Sequence, residues 1–124
     1  MNPKEIDDVV EPLVLVVEDE DGHRTQREEG LRAAGCQTIG VSSLEEAFTS
    51  LRDGPAVDLI VTDFNLGRKN PKGGLTLAMS VRSNYDSDLP MVIYSASVGE
   101  EAFDGVPDDL FVMKAGKVYK YAPR

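Results

Sequence analysis

Four polar segments of this 124-residue chain carry side chains that are suited to phosphate and metal chemistry. Each segment directly follows an apolar run. The side chains are two carboxylates after the first run, one carboxylate after the third, a hydroxyl after the fourth and an amine after the fifth: Glu18 and Asp19, Asp63, Ser95, and Lys114. If the apolar runs are neighbouring parallel strands, these groups converge on one edge of a sheet.

Such a cluster is electrostatically unfavourable on its own. Carboxylates that are crowded together repel one another and are stabilised by a cation. Oxygen ligands with few carboxylates suit Mg²⁺, which also accepts phosphate oxygens as ligands. Asp63 would then be an oxygen nucleophile that forms an aspartyl phosphate. The positive charge of Lys114 and the hydroxyl of Ser95 would help to stabilise the phosphoryl group, since phosphoryl transfer depends mainly on positioning and charge neutralisation.

Five apolar runs predict the strands that position these groups. The first is five consecutive aliphatic residues, which indicates a strand that is covered on both faces, as in a parallel sheet. The runs are Leu13–Val17, Cys36–Val41, Val57–Thr62, Met91–Tyr94 and Leu110–Met113.

Helical patterns lie between the strands. Ser43 to Arg52 is the clearest, because Ser43 and Glu46 match a capping box and an apolar stripe follows. Gly74 to Asn84 also predicts a helix, with Leu75, Ala78 and Met79 on one face. Gly22 to Ala34 completes the alternation, but polar residues or glycine occupy positions where the core-facing side should be apolar: Gln26, Arg27 and Gly30. Strand–helix alternation with short connections predicts a parallel sheet with helices on both faces.

From Leu13 to about Lys117 the chain resembles the receiver domain of bacterial response regulators, a family that is similar to the chemotaxis regulator. Four segments carry the resemblance: Val16–Glu20, Asp58–Asp63, Pro90–Ala96 and Asp109–Lys114. Asp19 and Asp63 are 44 positions apart (63 − 19), close to the spacing in the family. The resemblance implies an α/β, flavodoxin-like, doubly wound fold with a five-stranded parallel sheet in the order 2-1-3-4-5.

The resemblance also implies a role for each site residue. Glu18 and Asp19 match the metal-binding acid pair, and Asp63 matches the phosphoacceptor. Asn65 would offer its backbone carbonyl to the metal, so that the implied Mg²⁺ ligands are Glu18, Asp19, Asp63 and Asn65. Lys114 matches the phosphate-binding lysine. Two further residues match the switch pair of the family: Ser95, which moves toward the phosphoryl group, and Phe111, which changes rotamer.

The implied function is a phosphoacceptor signalling domain of a two-component phosphorelay. A histidine kinase or a histidine phosphotransfer protein would donate the phosphoryl group to Asp63, and a downstream protein target would bind the surface that changes. Such a domain is a self-phosphorylating and self-dephosphorylating switch rather than a turnover enzyme. The expected organisation is one receiver domain over residues 1–124, with an N-terminal extension over 1–11 and a short or frayed last helix over 118–124.

The chain departs from the family pattern at several positions. Ala115 follows Lys114, where the family usually has proline after a cis bond. The loop after Asp63 carries about three extra residues, and Arg68–Gly74 is unusually basic for this chain. The fourth helix is predicted to be short, over Gly99–Gly105, and the last helix is predicted to be only a stub over Lys117–Tyr121.

Composition limits the possible partners. The formal net charge is −9, and nucleic acids and anionic membranes bind mainly basic surfaces. We therefore expect no direct binding to nucleic acid or membrane. A single cysteine, Cys36, excludes an intramolecular disulfide, and no signal peptide is visible, which together favour a cytoplasmic location.

Three alternatives remain. A degenerate receiver would bind partners without phosphotransfer, which the Ala115 departure favours. A phosphohydrolase that uses an aspartyl phosphate usually needs a second acid two residues after the nucleophile, where this chain has Asn65. A purely structural flavodoxin-like module would leave the carboxylate cluster without a role.

Overall fold

The computed structural model describes residues 11–86, 88–95, 111–114 and 117–120, and residues 95, 111–114 and 117–120 are described along the backbone. Residues 1–10 and 96–110, with most of the predicted N-terminal extension and the predicted helix Gly99–Gly105, lie outside the described residues. Ala115 also lies outside them.

Six strands form one sheet in the described part of the chain, in the order β2-β1-β3-β4-β5-β6. Their bounds are Leu13–Val17 (β1), Gln37–Val41 (β2), Leu59–Asp63 (β3), Met91–Ser95 (β4), Phe111–Lys114 (β5) and Lys117–Lys120 (β6). The first five strands pair in parallel. The predicted α/β fold and the strand order 2-1-3-4-5 are therefore confirmed.

The sixth strand corrects the prediction for the end of the chain. Residues 117–120 do not begin a helix but form β6, which pairs antiparallel with β5 and places Lys114 opposite Lys117. Two properties of the sequence explain this result. Only two residues, one of them Gly116, separate the two strands, as in a tight hairpin. Val118 and Tyr119 are also residue types that favour strands over helices.

Three helices cover the described sheet: Asp21–Ala33 (α1), Leu44–Asp53 (α2) and Gly73–Ser80 (α3). The chain continues from α3 into one π-helical turn over Val81–Tyr85, where the amide of Asp86 donates to the carbonyl of Val81 at 2.8 Å. Each of the three helices begins within two residues of its predicted first residue.

The core lies on both faces of the sheet, but the two sides differ in depth. The larger cluster packs α2 and α3 against one face and includes Leu15, Val17 and Ile60, and it also contains Leu77 and Ile93. Among the described residues, the cluster on the other face has three buried members, all of them valines of β1 and β3: Val14, Val16 and Val61. Helix α1 covers this face without burying any residue completely, as its weak apolar pattern predicts.

The buried side of α3 differs from the prediction. Leu77 and Ala78 are fully buried, whereas Met79 is 47% exposed. The buried residues of α3 are Gly73, Gly74, Leu77 and Ala78, and Val81 is buried just after its end. Gly74 packs directly against the backbone of β3. Of the predicted stripe, Ala78 is buried and Leu75 packs against the core while partly buried, so the prediction was wrong only at Met79.

The first half of the predicted capping box at α2 is confirmed. The Ser43 hydroxyl accepts a hydrogen bond from the Glu46 amide at 3.1 Å. The Glu46 carboxylate accepts from the Ser42 amide at 2.9 Å, one residue before the expected partner. This backbone hydrogen bond lowers the pKa of Glu46.

We expect Ser43→Ala to lower the free energy of unfolding by about 1 kcal/mol, because the amide of Glu46 loses its partner at the start of the helix. Urea unfolding followed by circular dichroism measures this loss. Ser42→Ala is the comparison variant, because it removes only the exposed hydrogen bond from the Ser42 hydroxyl to the Glu46 carboxylate at 3.1 Å and keeps the backbone amide that binds Glu46. An equal loss in both variants would contradict the assignment of the cap to Ser43.

Candidate functional site

The carboxyl ends of β1 and β3 lie side by side, because these strands pair in parallel with Val17 opposite Thr62. Glu18 follows the last residue of β1, and Asp63 is the last residue of β3. Glu18, Asp19 and Asp63 each direct a carboxylate oxygen into one cluster, in which these atoms lie within 4.8 Å of one another. Four residues were predicted as metal ligands, three through their side chains and Asn65 through its backbone carbonyl. The structure thus brings the three side chains together.

Glu18 is the buried member of the cluster, with only 1% of the residue exposed. A buried carboxylate needs partners that replace water. Arg27 donates to its Oε1, and the amide of Glu20 donates to its Oε2 at 3.1 Å. Arg24 donates to the backbone carbonyl of Glu18 at 2.9 Å. Both carboxylate oxygens therefore already have protein partners.

Arg27 extends the site to the neighbouring strand β4. Its guanidinium lies 4.1 Å from the centroid of the Tyr94 ring, a cation–π arrangement. Tyr94 pairs in register with Asp63 and precedes Ser95. Arg27 was not among the site residues predicted from the sequence, although the sequence carried a signal: an arginine at a position of α1 where an apolar residue was expected.

Asp19 and Asp63 are more accessible than Glu18. Asp19 is exposed and Asp63 is partly buried. Partial burial raises the pKa of Asp19, and the hydrogen bond and negative charge of the neighbouring Glu18 raise it further. A negative charge on Asp19 is therefore disfavoured when no cation is present.

The loop after β3 folds back on itself through backbone hydrogen bonds. The amide of Leu66 donates to the carbonyl of Asn70 at 2.9 Å, and the amide of Asn70 donates to the carbonyl of Gly67 at 3.1 Å. Gly67 has φ +100°, a conformation that favours glycine. The Asn65 side chain accepts from the Gly67 amide at 2.9 Å. The extra residues thus form a compact turn beside the carboxylates.

This turn forms one wall of an open pocket of about 400 Å³. The carboxylate cluster lines this pocket, together with Asn65, Gly67 and Pro71 of the loop. Two side chains that are positively charged or can become so, His23 and Arg68, also line it. The pocket gives a phosphate-sized group access to Asp63.

Gly74 fixes the position of Asp63 from the other side. Its amide donates to the carbonyl of Phe64 at 2.9 Å. A Cβ atom at this position would lie 2.2 Å from the carbonyl oxygen of Asp63 and 3.0 Å from the Cα atom of Phe64. Only glycine allows this close approach of α3 to the end of β3.

The predicted hydroxyl and amine residues lie on adjacent strands. Ser95 ends β4 and Lys114 ends β5, and they are partners in the parallel register. Phe111 begins β5 opposite Val92. The backbone therefore places Ser95 and Lys114 at the same edge of the sheet as Asp63, and their roles toward a phosphoryl group stay predictions.

The donor set fits a Mg²⁺ ion. Ligands on opposite sides of Mg²⁺ are about 4.2 Å apart, given a metal–oxygen distance of about 2.1 Å. The carboxylate oxygens of the cluster span at most 4.8 Å, so small side-chain movements would bring them into range. Asp19 and Asp63 have the more accessible oxygens, and the buried Glu18 adds negative charge behind them.

Comparison with solved structures identifies the class of protein that this fold and site define. A response regulator receiver protein from Sinorhizobium medicae superposes with a TM-score of 0.73 at 30% sequence identity, over 85% of this chain and 82% of the other. One from Pseudomonas putida superposes with a TM-score of 0.68 at 30% identity, over 84% and 87%. The chemotaxis response regulator CheY4 of Vibrio cholerae, at 18% identity, shows the same fold with a TM-score of 0.68.

The chain belongs to the response regulator receiver family. No protein-family model matches the chain, and no curated protein sequence matches it. Within the described residues, none of the helices combines the length and the apolar character that a membrane crossing requires.

Proposed function

We propose that this receiver domain accepts a phosphoryl group on Asp63 in a Mg²⁺-dependent reaction. One observation carries the proposal: three carboxylates from the ends of β1 and β3 converge within 4.8 Å and line an open pocket. Although Arg27 pairs with Glu18, the accessible carboxylates of Asp19 and Asp63 lie beside it, so negative charge is concentrated where a cation and a phosphoryl group could enter.

Each residue has a defined part in the proposed reaction. A carboxylate oxygen of Asp63 attacks the phosphorus of a phosphohistidine, the P–N bond breaks, and the histidine nitrogen keeps the electron pair. Bound Mg²⁺, held by Asp19 and Asp63 with Glu18 and the backbone carbonyl of Asn65, would neutralise charge on the phosphoryl oxygens. Lys114 supplies a further positive charge.

The proposed output is a change of surface. The Ser95 hydroxyl moves toward the phosphoryl oxygen, and Phe111 turns to fill the space behind it. Because both residues lie on the adjacent strands β4 and β5, the change reaches the surface next to these strands. Phosphorylation shifts the equilibrium between the two states only to the extent that the phosphoryl group interacts more favourably with one state than with the other.

The proposed partners are proteins: a histidine kinase or histidine phosphotransfer protein as donor, and a downstream target that binds the altered surface. The net charge of −9 supports protein partners over nucleic acid or anionic membranes. We further propose that the domain works in the cytoplasm as a switch and not as a turnover enzyme.

The test is intact-mass analysis of the purified chain after incubation with Mg²⁺ and a small phosphodonor. We expect a single phosphoryl adduct that is absent when a chelator replaces Mg²⁺. Beryllium fluoride, which mimics a phosphoryl group, is expected to bind under the same conditions. A folded protein that shows neither the adduct nor this complex would contradict the proposal and favour a receiver that acts by protein binding alone.

A further inference from the structure

Arg27 lies between the metal cluster and strand β4. Its side chain is 22% exposed, although arginine is usually well solvated. It pairs with the buried Glu18 carboxylate on one side and stacks on Tyr94 on the other. No other described arginine of α1 contacts a carboxylate of the cluster, since Arg24 pairs with Asp21 and Arg32 pairs with Glu28.

The contact with Tyr94 holds the guanidinium in place. Arginine is planar and weakly hydrated, so it stacks on an aromatic face while its N–H groups bind a carboxylate. Tyr94 itself packs against the small core cluster under α1. The ring thus forms a fixed platform that directs Arg27 toward Glu18.

Arg27 and a divalent cation need the same negative charge. The guanidinium already neutralises part of the cluster and occupies Oε1 of Glu18. A Mg²⁺ ion that binds beside Glu18 must either approach this positive charge or displace it, and both cost binding free energy.

We propose that Arg27 competes with Mg²⁺ for the Glu18 carboxylate and so lowers the affinity of the site, and that Tyr94 sustains this competition by stacking on Arg27. The proposal rests on the proposed magnesium site. If Tyr94 sustains the competition, metal occupancy depends on the position of this ring at the end of β4. Tyr94 directly precedes the predicted switch residue Ser95.

The experiment is a Mg²⁺ titration by isothermal calorimetry without any phosphodonor, with the fold of each variant checked by thermal unfolding in chelator. Arg27→Gln is expected to bind Mg²⁺ about tenfold more tightly than the wild type, because one adjacent positive charge is removed. Tyr94→Leu is expected to tighten binding about threefold, because Arg27 loses its aromatic platform. Tyr94→Leu leaves the net charge unchanged, which separates competition from a general charge effect.

Two variants serve as controls. Tyr94→Phe keeps the ring and is expected to bind Mg²⁺ as the wild type does. Arg32→Gln removes the same charge one position before the end of α1, where the side chain pairs with Glu28, and is expected to change the affinity little.

The outcomes separate this proposal from the proposed function. Equal affinity in the wild type, Arg27→Gln and Tyr94→Leu would overturn the competition and leave the magnesium site intact. Weaker binding in Arg27→Gln would also overturn it, and would show that Arg27 orients Glu18 for the ion. If neither the wild type nor Arg27→Gln bound Mg²⁺, the magnesium site and the competition would both be wrong.

Discussion

Asp63→Asn is expected to accept no phosphoryl group, and in the absence of metal it is expected to be more stable than the wild type. Asparagine is nearly the same size but lacks the nucleophilic carboxylate. It also removes one of three negative charges that lie within 4.8 Å of one another. Two unit charges at about 4 Å repel by about 1 kcal/mol even in water, so we expect a gain of about this size.

When Mg²⁺ is present, Asp63→Asn is expected to be less stable than the wild type. At 100 times its Kd, a ligand stabilises the folded state by about 2.7 kcal/mol, and the variant loses most of this because it lacks a main ligand. Urea unfolding with chelator and with Mg²⁺, together with intact-mass analysis, measures both parts.

Asp58→Asn is the matched control for Asp63→Asn. Asp58 lies just before the other end of β3, where its carboxylate accepts a hydrogen bond from the Leu13 amide at 2.8 Å. Asparagine can still accept this bond, so we expect the phosphoryl adduct and the effect of Mg²⁺ to persist. A phosphoryl adduct of normal yield on Asp63→Asn would show that another residue is the acceptor.

Gly74→Ala is expected to destabilise the domain by about 2 kcal/mol and to slow phosphorylation. The added Cβ would lie 2.2 Å from the carbonyl oxygen of Asp63, which is backbone and cannot rotate away. Helix α3 and the end of β3 must therefore separate, and overpacking of this kind typically costs about 1–3 kcal/mol. The gain in helix propensity from alanine, about 1 kcal/mol, offsets only part of a severe clash.

The same change from glycine to alanine is expected to have the opposite effect on stability at Gly30. Gly30 lies inside α1, and a Cβ atom there meets nothing within 4 Å. Alanine is expected to raise the free energy of unfolding by about 0.5–1 kcal/mol, because it reduces the backbone entropy of the unfolded chain. Urea unfolding compares the two variants directly, and a Gly74→Ala protein as stable as Gly30→Ala would contradict the close packing at Asp63.

The positions of the acidic residues could be predicted from the sequence because they depend on one rule of the fold. Uninterrupted aliphatic runs predict buried parallel strands, and the carboxyl ends of such strands meet at one edge. Glu18 and Asp63 follow from this rule without knowledge of any side-chain contact. The helix bounds were also predictable, since α2 has a capping serine and an apolar stripe.

The partners of these residues could not be predicted in the same way. The pairing of Arg27 with Glu18 depends on how α1 packs on the sheet, and the polar pattern of this helix leaves its rotation undefined. Arg27 was visible only as a violation of the apolar pattern. The sixth strand was missed because the family resemblance suggested a helix there, although the strand propensities of Val118 and Tyr119 pointed to the hairpin.

The hairpin of β5 and β6 also determines what the described sheet presents at its outer boundary. A terminal strand exposes unpaired N–H and C=O groups, which can recruit strands from other molecules and start aggregation. Natural proteins limit this hazard with short terminal strands and lysine residues. The outermost strand β6 has four residues and begins and ends with lysine, at Lys117 and Lys120. A long, flat surface for intermolecular strand pairing is therefore avoided on this side, and repulsion between like charges opposes the stacking of two copies through it.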